Sequence, residues 1–145
     1  HPVLIQKLLL SPVGFLLSKF VRFEKFKKNF DHICAKNLSQ DELMGYWQML
    51  EHKGGTQIMH KLITYMTQRK QYRERWVGVL QTTSVPLLLI DGVLDPISGA
   101  HMVARYEELV PQANVVRLED SGHYPQVESP QAFAQAALTF LLAQS

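Results

Sequence analysis

The first 80 residues carry apolar side chains at helical spacing, with no stretch of strict alternation that would predict a strand. A capping-box pattern, Ser39 with Glu42 three residues later, predicts a helix over residues 40–52. Two glycines at its end stop this helix, and apolar residues recur at helical spacing over residues 58–66. This part of the chain is therefore predicted to be a series of helices.

From residue 85 the pattern changes to strand, helix, strand, helix. The run Val85-Pro86-Leu87-Leu88-Leu89-Ile90 is apolar on both faces, as in a central parallel strand that helices cover on both sides. A helix capped by Ser98 is predicted next, followed by a second strand over residues 115–118 and a closing helix from Ser129-Pro130. This order is that of a right-handed βαβ unit with two parallel strands.

These patterns predict an α/β chain in two parts. Residues 1–81 are expected to form a helical cap, or lid, and residues 82–145 the C-terminal βαβα portion of a larger parallel sheet. Because two strands cannot cover their own faces and edges, the fold is expected to be incomplete. We therefore expect a companion segment with the missing strands, or self-association through the exposed edge of the strand at residues 85–90.

Composition argues against a nucleic-acid partner, an internal disulfide and a transmembrane segment. Fifteen Lys and Arg against thirteen Asp and Glu give a net charge of +2, too small a bias to indicate nucleic acid. The single cysteine, Cys34, excludes an internal disulfide and is expected to be buried and inert, in a reducing compartment. The apolar stretch at residues 3–21 is interrupted by Lys7, Lys19 and a break at residues 12–14, so two short helices are predicted instead of a transmembrane segment.

Other side chains that could carry chemistry have structural interpretations. The five histidines other than His123 show no metal-ligand spacing with acidic residues or cysteine, so neither a metal ion nor another cofactor is expected. A basic run over residues 69–75 contains Glu74 and is typical of a solvated helix face. Trp47 and Trp76 are expected to pack in the core.

Two short motifs follow the two predicted strands. Asp95 lies in Asp91-Gly92-Val93-Leu94-Asp95-Pro96, and His123 lies 28 residues later in Ser121-Gly122-His123-Tyr124-Pro125. Alone, an aspartate before proline at the end of a strand is a common turn former. An acid followed by a histidine, each in the loop after a strand, predicts the acid and base of a catalytic triad.

These motifs resemble those of the α/β-hydrolase superfamily, in its branch of epoxide hydrolases, haloalkane dehalogenases and esterases. The resemblance is carried by residues 86–92 with Asp95 and by residues 122–130 with Phe133. Within this branch, the segment Gln68-Arg69-Lys70-Gln71-Tyr72-Arg73-Glu74-Arg75-Trp76-Val77-Gly78-Val79-Leu80 is similar to a subgroup of mesoderm-specific transcript-like hydrolases.

The resemblance covers residues 56–145 well and the first 55 loosely, and it implies the C-terminal half of an α/β-hydrolase fold. It implies that Asp95 is the triad acid, which orients the imidazole and stabilises the imidazolium, and that His123 is the general base. With a serine nucleophile the base would activate the hydroxyl. With an aspartate nucleophile it would activate the water that hydrolyses the covalent ester, and both alternatives are open.

A nucleophile is missing from the sequence. The chain has no GxSxG or GxDxG elbow and no His-Gly dipeptide of the kind that supplies an oxyanion hole in this superfamily. Because it begins at His1 without a methionine, we expect a fragment of a longer hydrolase that is inactive by itself. The complete form is expected to cleave an ester or a similar, largely apolar small molecule through a covalent intermediate.

Two other functions are open at this point. One is a non-catalytic, truncated module that interacts or dimerises through its sheet edge, and the other is an acyltransferase that uses the same acid and base with an alcohol acceptor. The single cysteine favours a cytoplasmic location. Resemblance to animal members of the subgroup implies association with the endoplasmic reticulum membrane as the alternative.

Overall fold

The computed structural model describes residues 8–144, which divide into two compact units. The first unit contains residues 8–28 and 39–76, and the second contains residues 29–38 and 77–144. The short segment 29–38 groups with the second unit because its backbone is hydrogen-bonded to the chain around residue 123. The assignment of residues 1–81 as a cap and 82–145 as a hydrolase core stays a prediction.

The first unit is helical throughout its regular structure. Its elements, of which α2 and α6 continue into the second unit, are α1 Gly14–Ser18, α2 Phe23–Ile33, α3 Gln40–Glu51, a 3-10 helix His52–Ile58, α4 Met59–Leu62, α5 Tyr65–Gln71 and α6 Arg73–Thr82. The predicted capping box is confirmed at the start of α3. The Ser39 hydroxyl accepts a hydrogen bond from the Glu42 N–H at 3.2 Å, and the Glu42 carboxylate accepts one from the Ser39 N–H at 2.9 Å.

The apolar stretch at residues 58–66 differs from its prediction, because the structure divides it between α4 and α5. The Thr64 hydroxyl donates a hydrogen bond of 2.6 Å to the carbonyl of Lys61, three residues earlier. Such a bond offers the backbone an alternative to the regular helical ladder, which explains the break. Before it, the chain turns through left-handed backbone at Lys53 and Gly54.

The core of the first unit is built around α3. Leu43 and Trp47 are both buried, as the helical pattern predicts. The indole of Trp47 packs against two rings of α2, with centroid distances of 6.1 Å to Phe23 and 5.5 Å to Phe26. The expectation of core packing is therefore confirmed for Trp47, whereas Trp76 is 43% exposed.

The second unit holds a two-stranded parallel sheet flanked by helices. Its further elements are β1 Leu89–Gly92, α7 Ala100–Leu109, β2 Val115–Leu118, α8 Pro125–Glu128 and α9 Pro130–Leu142. The register pairs Leu89 with Val115 and Gly92 with Leu118. Helices α7, α8 and α9 contact β1, and α9 also contacts β2. The parallel strands, the second strand at 115–118 and a closing helix from Pro130 are confirmed, and together they make a partial α/β fold.

The first strand was predicted over residues 85–90 and is found four residues later, so its predicted start is wrong. Val85 is 65% exposed, and Pro86 has no N–H to offer a sheet. Pairing begins where the Leu89 N–H donates to the carbonyl of Asn114 at 3.0 Å. Pairing with β2, more than hydrophobicity, sets the length of β1.

The predicted cap at Ser98 is also wrong. Helix α7 has Gly99 as its N-cap, and the Ser98 hydroxyl donates to Asp95 instead. A Cβ atom on Gly99 would lie 2.6 Å from the carbonyl oxygens of Asp95 and Val93. The tight turn after β1 therefore requires glycine at the position that begins the helix.

No helix within residues 8–144 is long and apolar enough to cross a bilayer. Of the two short helices predicted over residues 3–21, the second corresponds to α1. The first lies partly outside the described residues, since residues 3–7 are not among them.

Candidate active site

The structure brings the two predicted site residues, Asp95 and His123, into contact. Parallel strands end at the same edge of a sheet, so the loops that follow β1 and β2 are neighbours. These loops are joined through their backbones, with the Leu94 N–H donating to the Ser121 carbonyl at 3.0 Å. Nδ1 of His123 lies 2.7 Å from Oδ2 of Asp95.

The Asp95 carboxylate is held by its own turn as well as by His123. Oδ1 accepts a hydrogen bond from the Ile97 N–H at 2.8 Å, and Oδ2 accepts from the N–H and the hydroxyl of Ser98 at 3.0 and 2.6 Å. Its side chain is only 4% exposed. Burial raises the pKa of Asp95, but the hydrogen bonds from Ser98, Ile97 and His123 together outweigh it, and the pKa is lowered from its ordinary value. The group is therefore an anion at neutral pH.

The imidazole of His123 is fixed on one side and accessible on the other. Its backbone N–H donates to the Ile33 carbonyl at 3.0 Å, and its ring meets the ring of Tyr124 edge-on at 4.9 Å. A carboxylate acceptor at Nδ1 assigns the proton to that nitrogen and leaves Nε2 with its lone pair. Within residues 8–144 no hydrogen bond occupies Nε2, and the side chain is 28% exposed. This is the arrangement that a general base requires.

Two glycines allow the site loops to approach each other and the segment at residues 33–35. A Cβ atom on Gly92 would lie 2.0 Å from the Gly122 carbonyl oxygen. A Cβ atom on Gly122 would lie 2.6 Å from the Ala35 nitrogen and from the Ile33 oxygen. The glycines of the two sequence motifs are therefore needed for close backbone approach.

Sequence reasoning missed Glu128, which lies at the end of α8. Its Oε2 accepts hydrogen bonds from the N–H groups of Ala35, Lys36 and Gly122 at 2.7, 3.0 and 2.9 Å, and Oε1 accepts from the Tyr124 N–H at 3.0 Å. Burial raises its pKa, but these four donors outweigh burial and the pKa is lowered. Two donors are more than 90 residues away in sequence, so no local pattern could have indicated the cluster.

The two serines of the second motif region have structural partners. The Ser121 hydroxyl donates to the Ser129 hydroxyl at 2.8 Å, and Lys36 donates to Ser129 and to the Asp120 carboxylate, both at 2.6 Å. Neither serine contacts His123 in this network. Among the described residues, no serine hydroxyl is hydrogen-bonded to Nε2 of His123, and the structure assigns no nucleophile.

Cys34 lies beside the Glu128 cluster. Burial, followed by the charge of Glu128, raises the pKa of its thiol to about 11. A thiol with this pKa stays protonated at neutral pH and is a poor nucleophile, in agreement with the inert role expected for it. The expected burial is wrong, because Cys34 is only half-buried. Within residues 8–144, no group of three or more histidine, cysteine or acidic residues could hold a metal ion.

A cavity of about 420 Å³ in the second unit lies away from this chemistry. It is lined by residues 80–81, 83–87, 106 and 110–114, which precede the two strands. Asp95 and His123 follow the strands, at the opposite end of the sheet. The cavity is therefore not part of the site that contains Asp95 and His123.

Comparison with known proteins finds several curated relatives. No family model matches the chain. The putative hydrolase LipZ of Mycobacterium tuberculosis is 38% identical over 140 residues, which cover 95% of this chain and 49% of that protein. The mouse mesoderm-specific transcript protein is 33% identical and its human homologue 32%, both over 150 residues that cover 97% of this chain and 44% of theirs. Of these relatives, the first is named as a putative hydrolase. The chain spans about half the length of the curated relatives it matches.

Proposed function

We propose that this chain supplies the acid and the base of an α/β-hydrolase-type active site. Asp95 would be the acid and His123 the base, with the nucleophile supplied by residues outside this chain. The main support is the 2.7 Å contact between Nδ1 and Oδ2, together with an Nε2 atom that no described residue occupies. A second support is the similarity to a protein named as a hydrolase, of which this chain covers about half.

In the proposed reaction Nε2 of His123 removes a proton in the step that forms or breaks a covalent ester. With a serine nucleophile the proton comes from the hydroxyl that attacks the substrate carbonyl, and it is then given to the departing alkoxide. With an aspartate nucleophile the proton comes from the water that hydrolyses the ester intermediate. In both cases the buried Asp95 anion stabilises the imidazolium that forms.

The proposed substrate is an ester or related uncharged molecule that is largely apolar. Large apolar side chains are exposed on the helical first unit, and an apolar substrate would bury them if they contact it. They include Phe15, Leu16, Phe20, Met49 and Leu62. The epoxide hydrolase, haloalkane dehalogenase and esterase branch is proposed on the motif resemblance, with the mesoderm-specific transcript-like subgroup within it.

The proposed partner is the missing part of the sheet. In the described residues β1 pairs with β2 and with no other strand. The Leu89 and Val93 N–H groups donate toward β2, so the N–H groups between them at even-numbered positions face the open edge. An N-terminal half with its own parallel strands would fill this edge, and a second copy of the chain is the alternative.

The function is tested by assaying the complete protein with p-nitrophenyl esters of increasing acyl length and with an aryl epoxide. We expect His123→Ala and Asp95→Asn to lower kcat by roughly four orders of magnitude, as loss of a triad member does. Glu119→Gln, an exposed residue of the same unit, should retain the wild-type rate. A wild type that turns over none of these substrates would contradict the proposal.

The same variants separate the two possible nucleophiles. In the aspartate alternative, His123→Ala still opens the aryl epoxide to form the covalent ester and then stalls, so intact mass should increase by the mass of one epoxide. In the serine alternative the ester does not form and the mass stays unchanged. If an added alcohol diverts most of the product into a new ester, the activity is acyl transfer rather than hydrolysis.

A further inference from the structure

We infer that Glu128 is a positioning residue, which holds the turn that carries His123 in register with Asp95. The effect of this role on catalysis rests on the function proposed above, whereas the placement of the histidine does not depend on that function. Glu128 does not touch His123 and acts through the backbone on both sides of it.

The three consecutive N–H groups around the histidine are all fixed to the rest of the second unit. Gly122 and Tyr124 both donate to the Glu128 carboxylate, at 2.9 and 3.0 Å, and His123 donates to the Ile33 carbonyl at 3.0 Å. Because the two flanking N–H groups meet one carboxylate, the peptide planes on each side of His123 have little freedom to rotate. The position of the imidazole relative to Asp95 follows from this backbone.

The same carboxylate fixes the neighbouring segment that receives the histidine N–H. Ala35 and Lys36 donate to Oε2 at 2.7 and 3.0 Å, one and two residues beyond Cys34. Ile33, which accepts the N–H of His123, lies two residues before Ala35. Glu128 therefore holds both segments that form the His123–Ile33 hydrogen bond. It accepts from residues on each side of the donor His123, and from two residues that follow the acceptor Ile33.

Four N–H donors around one buried side chain require an acceptor with no donor of its own. An ionised carboxylate meets this requirement, and hydrogen bonds to a charged acceptor are stronger than neutral ones. A glutamine of the same size would place an NH₂ group against at least one of the N–H donors. An aspartate would be one methylene shorter and could not reach both segments.

Other contacts hold the same two segments together and should keep a Glu128 variant folded. Lys36 forms an ion pair with Asp120 at 2.6 Å and donates to Ser129 at 2.6 Å. The ring of Phe30 is stacked on that of Tyr124, with centroids 5.1 Å apart. We therefore expect loss of Glu128 to loosen the histidine turn more than the unit as a whole.

The test uses proton NMR of the complete protein, with Glu128→Gln compared with wild type and with the control Glu119→Gln. The first readout is the resonance of the His123 Nδ1 proton, which persists only while the hydrogen bond to Asp95 shields it from exchange. The second is hydrogen exchange of the Gly122 and Tyr124 amides. In Glu128→Gln we expect the resonance to disappear and both amides to exchange roughly tenfold faster or more, because each loses a charged acceptor.

Glu119→Gln should leave both readouts at wild-type values. The inference is overturned if Glu128→Gln is folded, keeps the Nδ1 resonance and leaves exchange at Gly122 and Tyr124 unchanged. If that variant does not fold, the wild type decides. The amides of Ala35, Lys36, Gly122 and Tyr124 should then be protected as one group, and exchange of these four at the rate of exposed turns overturns the inference.

Activity separates this inference from the proposed function. If the wild type hydrolyses the test esters, Glu128→Gln should lower kcat by about tenfold or more with KM within about twofold, since the base is displaced and substrate contacts are not. If the wild type hydrolyses none of them, the proposed function fails. The NMR readouts still decide the positioning role, because they do not depend on turnover.

Discussion

At the scale of single residues, the buried acidic side chains of the second unit differ in how well each is hydrogen-bonded. Asp95 and Glu128 accept several donors each, and their pKa values are lowered in spite of burial. Asp91 is equally buried, but its Oδ2 atom has no hydrogen-bond partner among the described residues. Burial and then the charge of Asp95 raise the pKa of Asp91. Ionisation of Asp95 and Glu128 therefore stabilises the folded state, whereas ionisation of Asp91 destabilises it.

We predict a pH dependence of stability that these residues control. For Asp95 and Glu128 the folded pKa lies below the ordinary values of 3.8 and 4.5, so their contribution is complete above those values and is lost as pH falls through the folded pKa. Urea unfolding of the wild type should show a falling free energy of unfolding below about pH 4.5. In Glu128→Gln this acid-dependent loss should be smaller, and an unchanged loss would contradict the assignment.

Asp91→Asn should change the free energy of unfolding in the opposite direction. A raised folded pKa means that ionisation of Asp91 opposes folding, and the cost appears as pH rises through and above the ordinary value of 3.8. The variant should therefore be more stable than wild type at pH 7, with the difference shrinking toward pH 3. Equal or lower stability of Asp91→Asn at pH 7 would show that the charge has a partner.

At the scale of elements, the turns after β1 and β2 depend on glycines whose Cβ atoms would meet backbone. The sequence predicted a loop after each strand, and Gly92 and Gly122 stand in the two motifs found there. The atoms that would clash with a Cβ on Gly122 belong to residues 33–35, which are remote in sequence. The residues of the turn are therefore adjacent in sequence, but the requirement for glycine at position 122 comes from a segment that only folding brings close.

Gly122→Ala is predicted to destabilise the protein by ~1–3 kcal/mol, because a Cβ atom would lie 2.6 Å from the Ala35 nitrogen and Ile33 oxygen. The matched control is Gly78→Ala in the interior of α6, where a Cβ atom meets nothing within 4 Å. This control should be neutral or more stable, because alanine favours helix over glycine. Chemical unfolding of both variants at neutral pH measures the difference. A Gly122→Ala variant as stable as the control would argue against the close approach.

At the scale of the whole molecule, the two-stranded sheet of residues 8–144 leaves one edge of β1 without a neighbouring strand. The relatives that this chain matches are about twice its length. Open strand edges pair readily with other chains. The N-terminal half proposed above would supply both further strands and a nucleophile.

The chain expressed alone is therefore predicted to self-associate, or to remain bound to a companion polypeptide that carries further strands. Intact mass of the purified sample shows whether a companion polypeptide accompanies the 16.6 kDa chain, and native mass spectrometry at several concentrations measures self-association. Addition of a separately prepared N-terminal half should convert the self-associated form into a one-to-one complex. A folded, monodisperse monomer across this concentration range would contradict the prediction.

The amino-acid sequence by itself determined the elements whose signals are local. The capping box at Ser39, the strand at 115–118 and Pro130 at the start of α9 depend on residues within one or two turns of each other. It also indicated Asp95 and His123 as a pair, because the end of each parallel strand has a characteristic loop. Tertiary structure decided where β1 begins, since pairing with Asn114 starts the strand at Leu89. It also decided the use of Glu128, whose donors at Ala35 and Lys36 are brought to it only when the chain folds, and converging donors of this kind offset the cost of burying a charged carboxylate.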